Sequence, residues 1–214
     1  MLYTLALWFD VKFKGTCRGE SGLVIFADDF IATFQYKEDA ERFLEEVAAR
    51  FATVGLELEP DKTRLVEFGK FAEEARKKRG EGKPETFDFL GFTHYCSKSR
   101  QGWFRVKRRT AKKKYRTKLT EMNQWLKRNR HLRLKDLTDE LNQKLRGHYQ
   151  YYGVTDNFDS INKFWFETQR MLFKWLNRRS QRRSYTWDGF NEMIKFFPLA
   201  RPRIYCNIYA DKRN

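Results

Sequence analysis

The chain is 214 residues long, with 44 Lys and Arg against 28 Asp and Glu for a net charge of +16, and that length suffices for one large domain or two small ones around a real core. Aromatic residues make up 17% of it, which excludes a disordered basic tail, because such tails are poor in aromatics. Three cysteines (Cys17, Cys96 and Cys206) are odd in number and share no CxxC spacing, which argues for reduced thiols in a cytosolic setting and against zinc.

Charge is uneven along the chain. Residues 1–100 hold 16 basic and 18 acidic side chains, whereas residues 101–214 hold 28 and 10. The first stretch has the balance of an ordinary soluble α/β region. The second is a surface for a polyanion, nucleic acid first, since each phosphate contact by Lys or Arg releases counterions. A ribosomal or membrane-surface role asks for the same charge.

In chain order, Leu2 to Phe9 is apolar but short, without a basic leader or cleavage site, and reads as a core helix turn and not as a signal peptide or membrane span. Leu23-Val24-Ile25-Phe26 and Phe30-Ile31-Ala32 then read as two strands of a hairpin, with Ala27-Asp28-Asp29 at its tip. Adjacent carboxylates on a rigid tip repel unless a cation sits between them, and Mg²⁺ takes oxygen ligands. A solvated Asp-Asp turn needs no metal. Glu38 to Val54 repeats apolar residues at Ala40, Phe43, Leu44, Val47, Ala48 and Phe51, which predicts a one-faced helix, with Gly55 as its stop. Leu56 to Leu58 and Thr63 to Phe68 alternate and predict half-buried strands about a turn at Pro60 and Asp61. Residues 70–86 are charged and without period, which predicts an exposed loop.

Phe87 to Phe92 begins another strand, and Thr93 to Cys96 can pair with Trp103 to Lys107. His94 and Cys96 form an H-x-C pair with no second pair to complete a metal site. Nine of the fourteen residues from Arg105 to Lys118 are basic: Arg105, Lys107, Arg108, Arg109, Lys112, Lys113, Lys114, Arg116 and Lys118. A helix over Thr110 to Arg128, N-capped by Thr110, would carry this charge around most of its surface and leave Ala111, Tyr115 and Leu119 for packing. With few acids interleaved, phosphate is the natural relief of its self-repulsion. Leu134, Leu137, Leu141 and Leu145 share a face of a second helix. The following Arg146-Gly147-His148-Tyr149-Gln150-Tyr151-Tyr152-Gly153 offers tyrosines that either stack on bases or pack a core. Its Arg146, beside a flexible glycine, can reach phosphate bidentately. Ile161 to Leu176 marks a third helix, ending at Arg178, Arg179, Arg182 and Arg183, cations that also suit a helix C-terminus. A short helix from Trp187 to Phe197 is stopped by Pro198 and Pro202.

Taken in order, Phe26-Ala27-Asp28-Asp29, Gly55-Leu56-Glu57-Leu58, Asp61-Lys62-Thr63 and Phe87-Asp88-Phe89-Leu90-Gly91-Phe92 resemble the last palm motifs of a group II intron reverse transcriptase, with Phe26 where Tyr is usual. Arg146 to Gly153, Trp175 to Gln181 and Phe197-Pro198-Leu199-Ala200-Arg201-Pro202-Arg203-Ile204 resemble the maturase region that follows the thumb. The resemblance implies an α+β chain: the C-terminal part of a palm over residues 1–100, with antiparallel hairpins and helices, then an all-α thumb and maturase region over 101–214. It implies Mg²⁺ on Asp28 and Asp29, with Lys62 near the nucleotide triphosphate and Phe89-Leu90-Gly91 as a primer-contacting turn. RNA contact is implied for Arg105, Lys107, Arg108, Arg109, Lys112, Lys113, Lys114, Arg116, Arg146, Tyr149, Tyr152, Arg178 and Arg179. Expected partners are intron RNA, an RNA/DNA primer-template and an upstream fingers and palm half acting in trans, with no membrane and a cytoplasmic location. Two-metal catalysis needs a further carboxylate on an earlier palm strand. The only acids before the hairpin are Asp10 and Glu20, so the isolated chain is expected not to polymerise. A non-catalytic RNA-binding splicing cofactor, a remnant of such an enzyme, is the alternative.

Overall fold

A computed structural model describes residues 2–179 and 185–209, which pack as two compact units, Met1–Val66 and Glu67–Asn214. The fold is mixed α+β, with two small antiparallel sheets and seven α-helices among the described residues. No described helix is long and apolar enough to cross a membrane.

In the first unit, helix α1 (Leu2–Trp8) runs into a π-helical turn at Phe9–Phe13. This places Leu5, Trp8, Phe9 and Phe13 in a core closed by Phe43 and Val47 of α2 (Lys37–Ala52). The rings meet edge to face, Phe9 on Phe43 at 5.7 Å and Phe13 on Phe43 at 5.2 Å, the arrangement their quadrupoles favour. Strands β1 (Ser21–Phe26) and β2 (Asp29–Phe34) pair antiparallel with Phe26 opposite Asp29. Alternation turns Leu23, Ile25, Phe30 and Ala32 toward the core and leaves Val24 and Phe26 exposed, a ribbon covered on one face. The buried carboxylate of this unit, Asp39, accepts the Arg18 backbone N–H at 2.8 Å and pairs with Arg42.

Two expectations fail here. Leu56–Leu58 and 63–68 join no ladder among the described residues; alternation fixes which face of a segment is apolar, but a strand exists only by hydrogen bonds to a neighbour. Residues 70–86 are also not all loop, because α3 spans Ala72–Lys78. Its charges are ordered by sign, Glu73 and Glu74 in the first turn and Arg76, Lys77 and Lys78 in the last, which suits the helix dipole. Around it Arg76 and Arg79 gather Glu67, Glu81 and Glu85.

The remainder of the second unit is a meander, β3 (Phe87–Phe89), β4 (Phe92–Lys98) and β5 (Phe104–Thr110), followed by α4 (Lys112–Asn129), α5 (Leu134–Tyr152), α6 (Phe158–Leu176) and α7 (Trp187–Phe196). The predicted pairing of Thr93–Cys96 with the following strand is present and runs on to Thr110 opposite Phe92. The four helices bury Leu126, Leu137, Leu141, Leu145, Ile161, Phe164, Leu172 and Leu176 in one core. Each such side chain contributes about 1.5–3 kcal/mol by leaving water. Thr110 is not the N-cap of α4. It closes β5, and its backbone N–H and hydroxyl engage buried Asn157. Packing divides the chain at Val66 and charge divides it near residue 100, so the change to basic composition falls inside the second unit, along β5.

Candidate nucleic-acid interface

The carboxylate tip is a two-residue turn. Phe26 faces Asp29 across the ladder, leaving Ala27 and Asp28 as the loop, and Ala27 has φ +49°. A non-glycine residue in this region carries strain of about 1–2 kcal/mol, which concentrates at functional sites. Asp28 and Asp29 are both exposed, on the loop and at the first position of β2. The donors are the right kind for a hard cation. Carboxylate oxygens are the ligands a hard cation such as Mg²⁺ takes; no group of three or more His, Cys, Asp or Glu suited to a metal exists among the described residues. Lys62 lies in the same unit on the separate turn at residues 60–62, exposed, its backbone N–H donating to Glu59.

The remaining candidates lie in the second unit. Leu90 and Gly91 form the two-residue loop between β3 and β4. The basic cluster is split between two elements, as the strand to Lys107 and the helix from Thr110 read from sequence imply: Arg105, Lys107, Arg108 and Arg109 belong to β5, while Lys112, Lys113, Lys114, Arg116 and Lys118 belong to α4. The ladder alternates, so Arg105, Lys107 and Arg109 share one face with Tyr95, and Arg108 lies on the other opposite His94. Arg105 stacks over the Tyr209 ring at 4.2 Å and Arg109 over Tyr95 at 5.7 Å. On α4, Lys112, Lys113 and Arg116 line an open groove with Thr117, Thr120, Gln124 and Asp88. Lys118 pairs with Glu121 at 2.8 Å, whereas Lys112, Lys113, Lys114 and Arg116 form no ion pair with a described residue.

One buried side chain fixes the corner between strand and helix. Asn157, fully buried, accepts the Thr110 N–H at 2.7 Å and donates through Nδ2 to the Thr110 hydroxyl at 2.9 Å and to the Tyr152 carbonyl at 2.8 Å. Nothing in the local sequence around Asn157 signals this, since its partners lie five and 47 residues away.

The Arg146 to Gly153 segment is corrected in two respects. It is the last two turns of α5, so Gly147 is a helical residue and Arg146 projects from a rigid helix. Tyr149 and Tyr152 belong to the core, the first fully buried with its hydroxyl donating to the Ala200 carbonyl at 3.1 Å. The exposed tyrosine is Tyr151. Gly153 has no room for a side chain, because a Cβ there would lie 2.3 Å from the Tyr149 carbonyl oxygen. His148 stacks on Phe164 at 3.8 Å with Nε2 unpartnered among the described residues, and burial, with help from the Lys118 charge, lowers its pKa to about 4. It is a neutral core ring.

Arg178 and Arg179 follow the end of α6. Arg178 lies over the Trp175 ring at 5.5 Å, joined there by Arg130 at 5.5 Å and Lys174 at 5.1 Å. Arg179 donates to the Leu132 carbonyl at 2.9 Å, and burial lowers its pKa. Sequence reasoning passed over Arg130 and Lys174, whose signal is only their approach to a shared indole. Arg182 and Arg183 lie outside the described residues.

Residues 4–94 match the family of reverse transcriptases (RNA-dependent DNA polymerases). Residues 112–191 match the maturase-specific domain of group II introns. No curated protein matches the chain.

Proposed function

The chain belongs to the group II intron reverse transcriptase/maturase family, a family of RNA-directed DNA polymerases, and from that premise we propose that it binds intron RNA through its second unit and assists splicing. The observation that supports this most is the corner from Arg105 to Arg116, a run of cations on a strand and a helix tied together at Thr110 by Asn157. Phosphate contact along Arg105, Lys107, Arg108, Arg109, Lys112, Lys113, Lys114 and Arg116 relieves the repulsion among them. Arg146 on α5 and Arg178 in the turn after α6 extend the contact, while Arg179 is engaged with the Leu132 carbonyl.

In the polymerase role, Asp28 and Asp29 hold Mg²⁺. Mg²⁺ held there would supply Lewis-acid activation of a primer 3′-hydroxyl and charge stabilisation for the leaving pyrophosphate. Lys62 neutralises triphosphate charge, and Phe89, Leu90 and Gly91 meet the primer of an RNA/DNA primer-template. On this reading polymerisation calls for a further carboxylate bridging both ions. Further palm and fingers sequence, joined or in trans, completes the site. The free thiols of Cys17, Cys96 and Cys206 suit a reducing cytoplasm.

The test is binding of the purified chain to its own structured intron RNA and to unrelated RNA across a salt series. Tight, selective binding that survives moderate salt supports the reading, and Lys112→Glu, Lys113→Glu and Arg116→Glu together lower the salt slope by roughly three. Equal binding to every RNA, collapsing steeply with salt, contradicts it.

A further inference from the structure

The loop between β3 and β4 holds both of its residues in the left-handed region, Leu90 at φ +49° and Gly91 at φ +78°. Glycine adopts that conformation freely. A leucine does not, because its Cβ crowds the following carbonyl, and such two-residue turns normally lead with Asn, Asp or Gly. A branched apolar residue persists there only where the surroundings over-determine the turn.

The surroundings are the C-terminal end of α5. The Tyr151 hydroxyl donates to the Leu90 carbonyl at 2.9 Å. Its ring lies parallel to buried Phe92, 6.0 Å between centroids and 11° between planes, and edge to face with Tyr152 at 4.8 Å. A Cβ on Gly91 would come within 3.2 Å of the Tyr152 hydroxyl, so residue 91 is pinned from the same helix. From the other side the Ala111 N–H donates to the Gly91 carbonyl at 2.9 Å. The turn is thus clamped between the end of α5 and the start of α4.

We infer that Tyr151 is a positioning residue for this turn: its hydroxyl holds Leu90 and Gly91 in the left-handed conformation in which they meet the recessed 3′ end of a primer strand. The inference rests on reading Phe89 to Gly91 as primer-contacting. It adds that a helix of the maturase region sets the geometry of the palm edge. The same helix buries Leu137, Leu141 and Leu145, so the turn inherits the rigidity of that core. Tyr151 remains 54% exposed, which lets a nucleic acid approach it without displacing the core.

Tyr151→Phe in the full chain keeps the ring and its stacking on Phe92 and removes only the hydroxyl. Three probes are titrated: an RNA/DNA hybrid with a recessed DNA 3′ end, the same hybrid with blunt ends, and a structured RNA hairpin. The variant binds the recessed hybrid roughly fivefold more weakly, the loss of one hydrogen bond, and binds the other two as wild type does. Adding Leu90→Asn restores recessed-end binding, because an Asn-Gly pair takes the left-handed conformation unaided. An unchanged preference for the recessed end overturns the inference. So does an equal loss on all three probes, the signature of a merely structural tyrosine. A wild-type chain that does not distinguish recessed from blunt ends overturns the primer-contacting reading itself and the inference with it, a failure visible before any variant is made.

Discussion

The two hairpin turns of this protein carry the same local strain and differ in what supports it. Ala27 and Leu90 each open a two-residue loop at φ +49°. The second loop is held by Tyr151, by the packing of Tyr152 against Gly91 and by Ala111. The first is held by its own ladder, since among the described residues no side chain hydrogen-bonds to Ala27 or Asp28. The same contrast runs through the units that carry them. The first unit closes around a few aromatic rings and leaves Val24 and Phe26 exposed on the carboxylate hairpin, whereas the second buries entire leucine faces of its helices. The carboxylate turn is left open to solvent, whereas the Leu90-Gly91 turn is braced by Tyr151 and Ala111.

The largest effect that sharpens this contrast is expected in the deep core. Leu141→Ala, at a fully buried position, costs about 3 kcal/mol in urea unfolding. The half-buried Leu23 on the carboxylate hairpin loses roughly 1 kcal/mol on the same change, because less area leaves the core. Equal losses would break the contrast.

His148 gives the next effect. Its folded-state pKa, about 4, lies below the unfolded value of about 6.5. The unfolded chain therefore binds the extra proton first as pH falls, and folding loses stability across that window. Stability conferred by the neutral ring is fully present above pH 6.5 and declines by about 2–3 kcal/mol toward pH 4. His148→Phe, which keeps a ring against Phe164, flattens that part of the pH profile in thermal unfolding. A slope unchanged in the variant would show that another group titrates.

Smaller changes fall on the turns themselves. Ala27→Gly relieves a left-handed alanine and shifts stability by no more than about 1 kcal/mol in its favour, strain relief being offset by chain entropy. Phe26→Tyr, at a position 58% exposed, changes unfolding free energy by less than about 0.5 kcal/mol. A large stability change at Phe26 would mean that this ring is packed and the tip is not open.

Much of this architecture was legible in the residues. The i, i+3, i+4 pattern of α2, α5 and α6 gave their buried faces, because helix periodicity needs no knowledge of the partner. The hairpin flanking Asp28 and Asp29 was legible for the same reason, being local. What misled were features decided at a distance. Leu56–Leu58 alternates yet pairs with nothing among the described residues. Thr110 has the side chain of an N-cap but is claimed by Asn157. Tyr149 and Tyr152 sit in a motif suited to base stacking but face the core of their own helix bundle. Only packing shows that Tyr151 is the surface member of the trio.

The basic corner of β5 and α4 is proposed to serve RNA in splicing. The direct measurement is the splicing rate of precursor RNA carrying the intron that encodes this chain, with and without purified protein at limiting Mg²⁺. Wild-type protein is expected to accelerate splicing, and the Lys112→Glu, Lys113→Glu, Arg116→Glu variant, folded as judged by its unfolding curve, is not. Equal acceleration by the variant and wild type would contradict it.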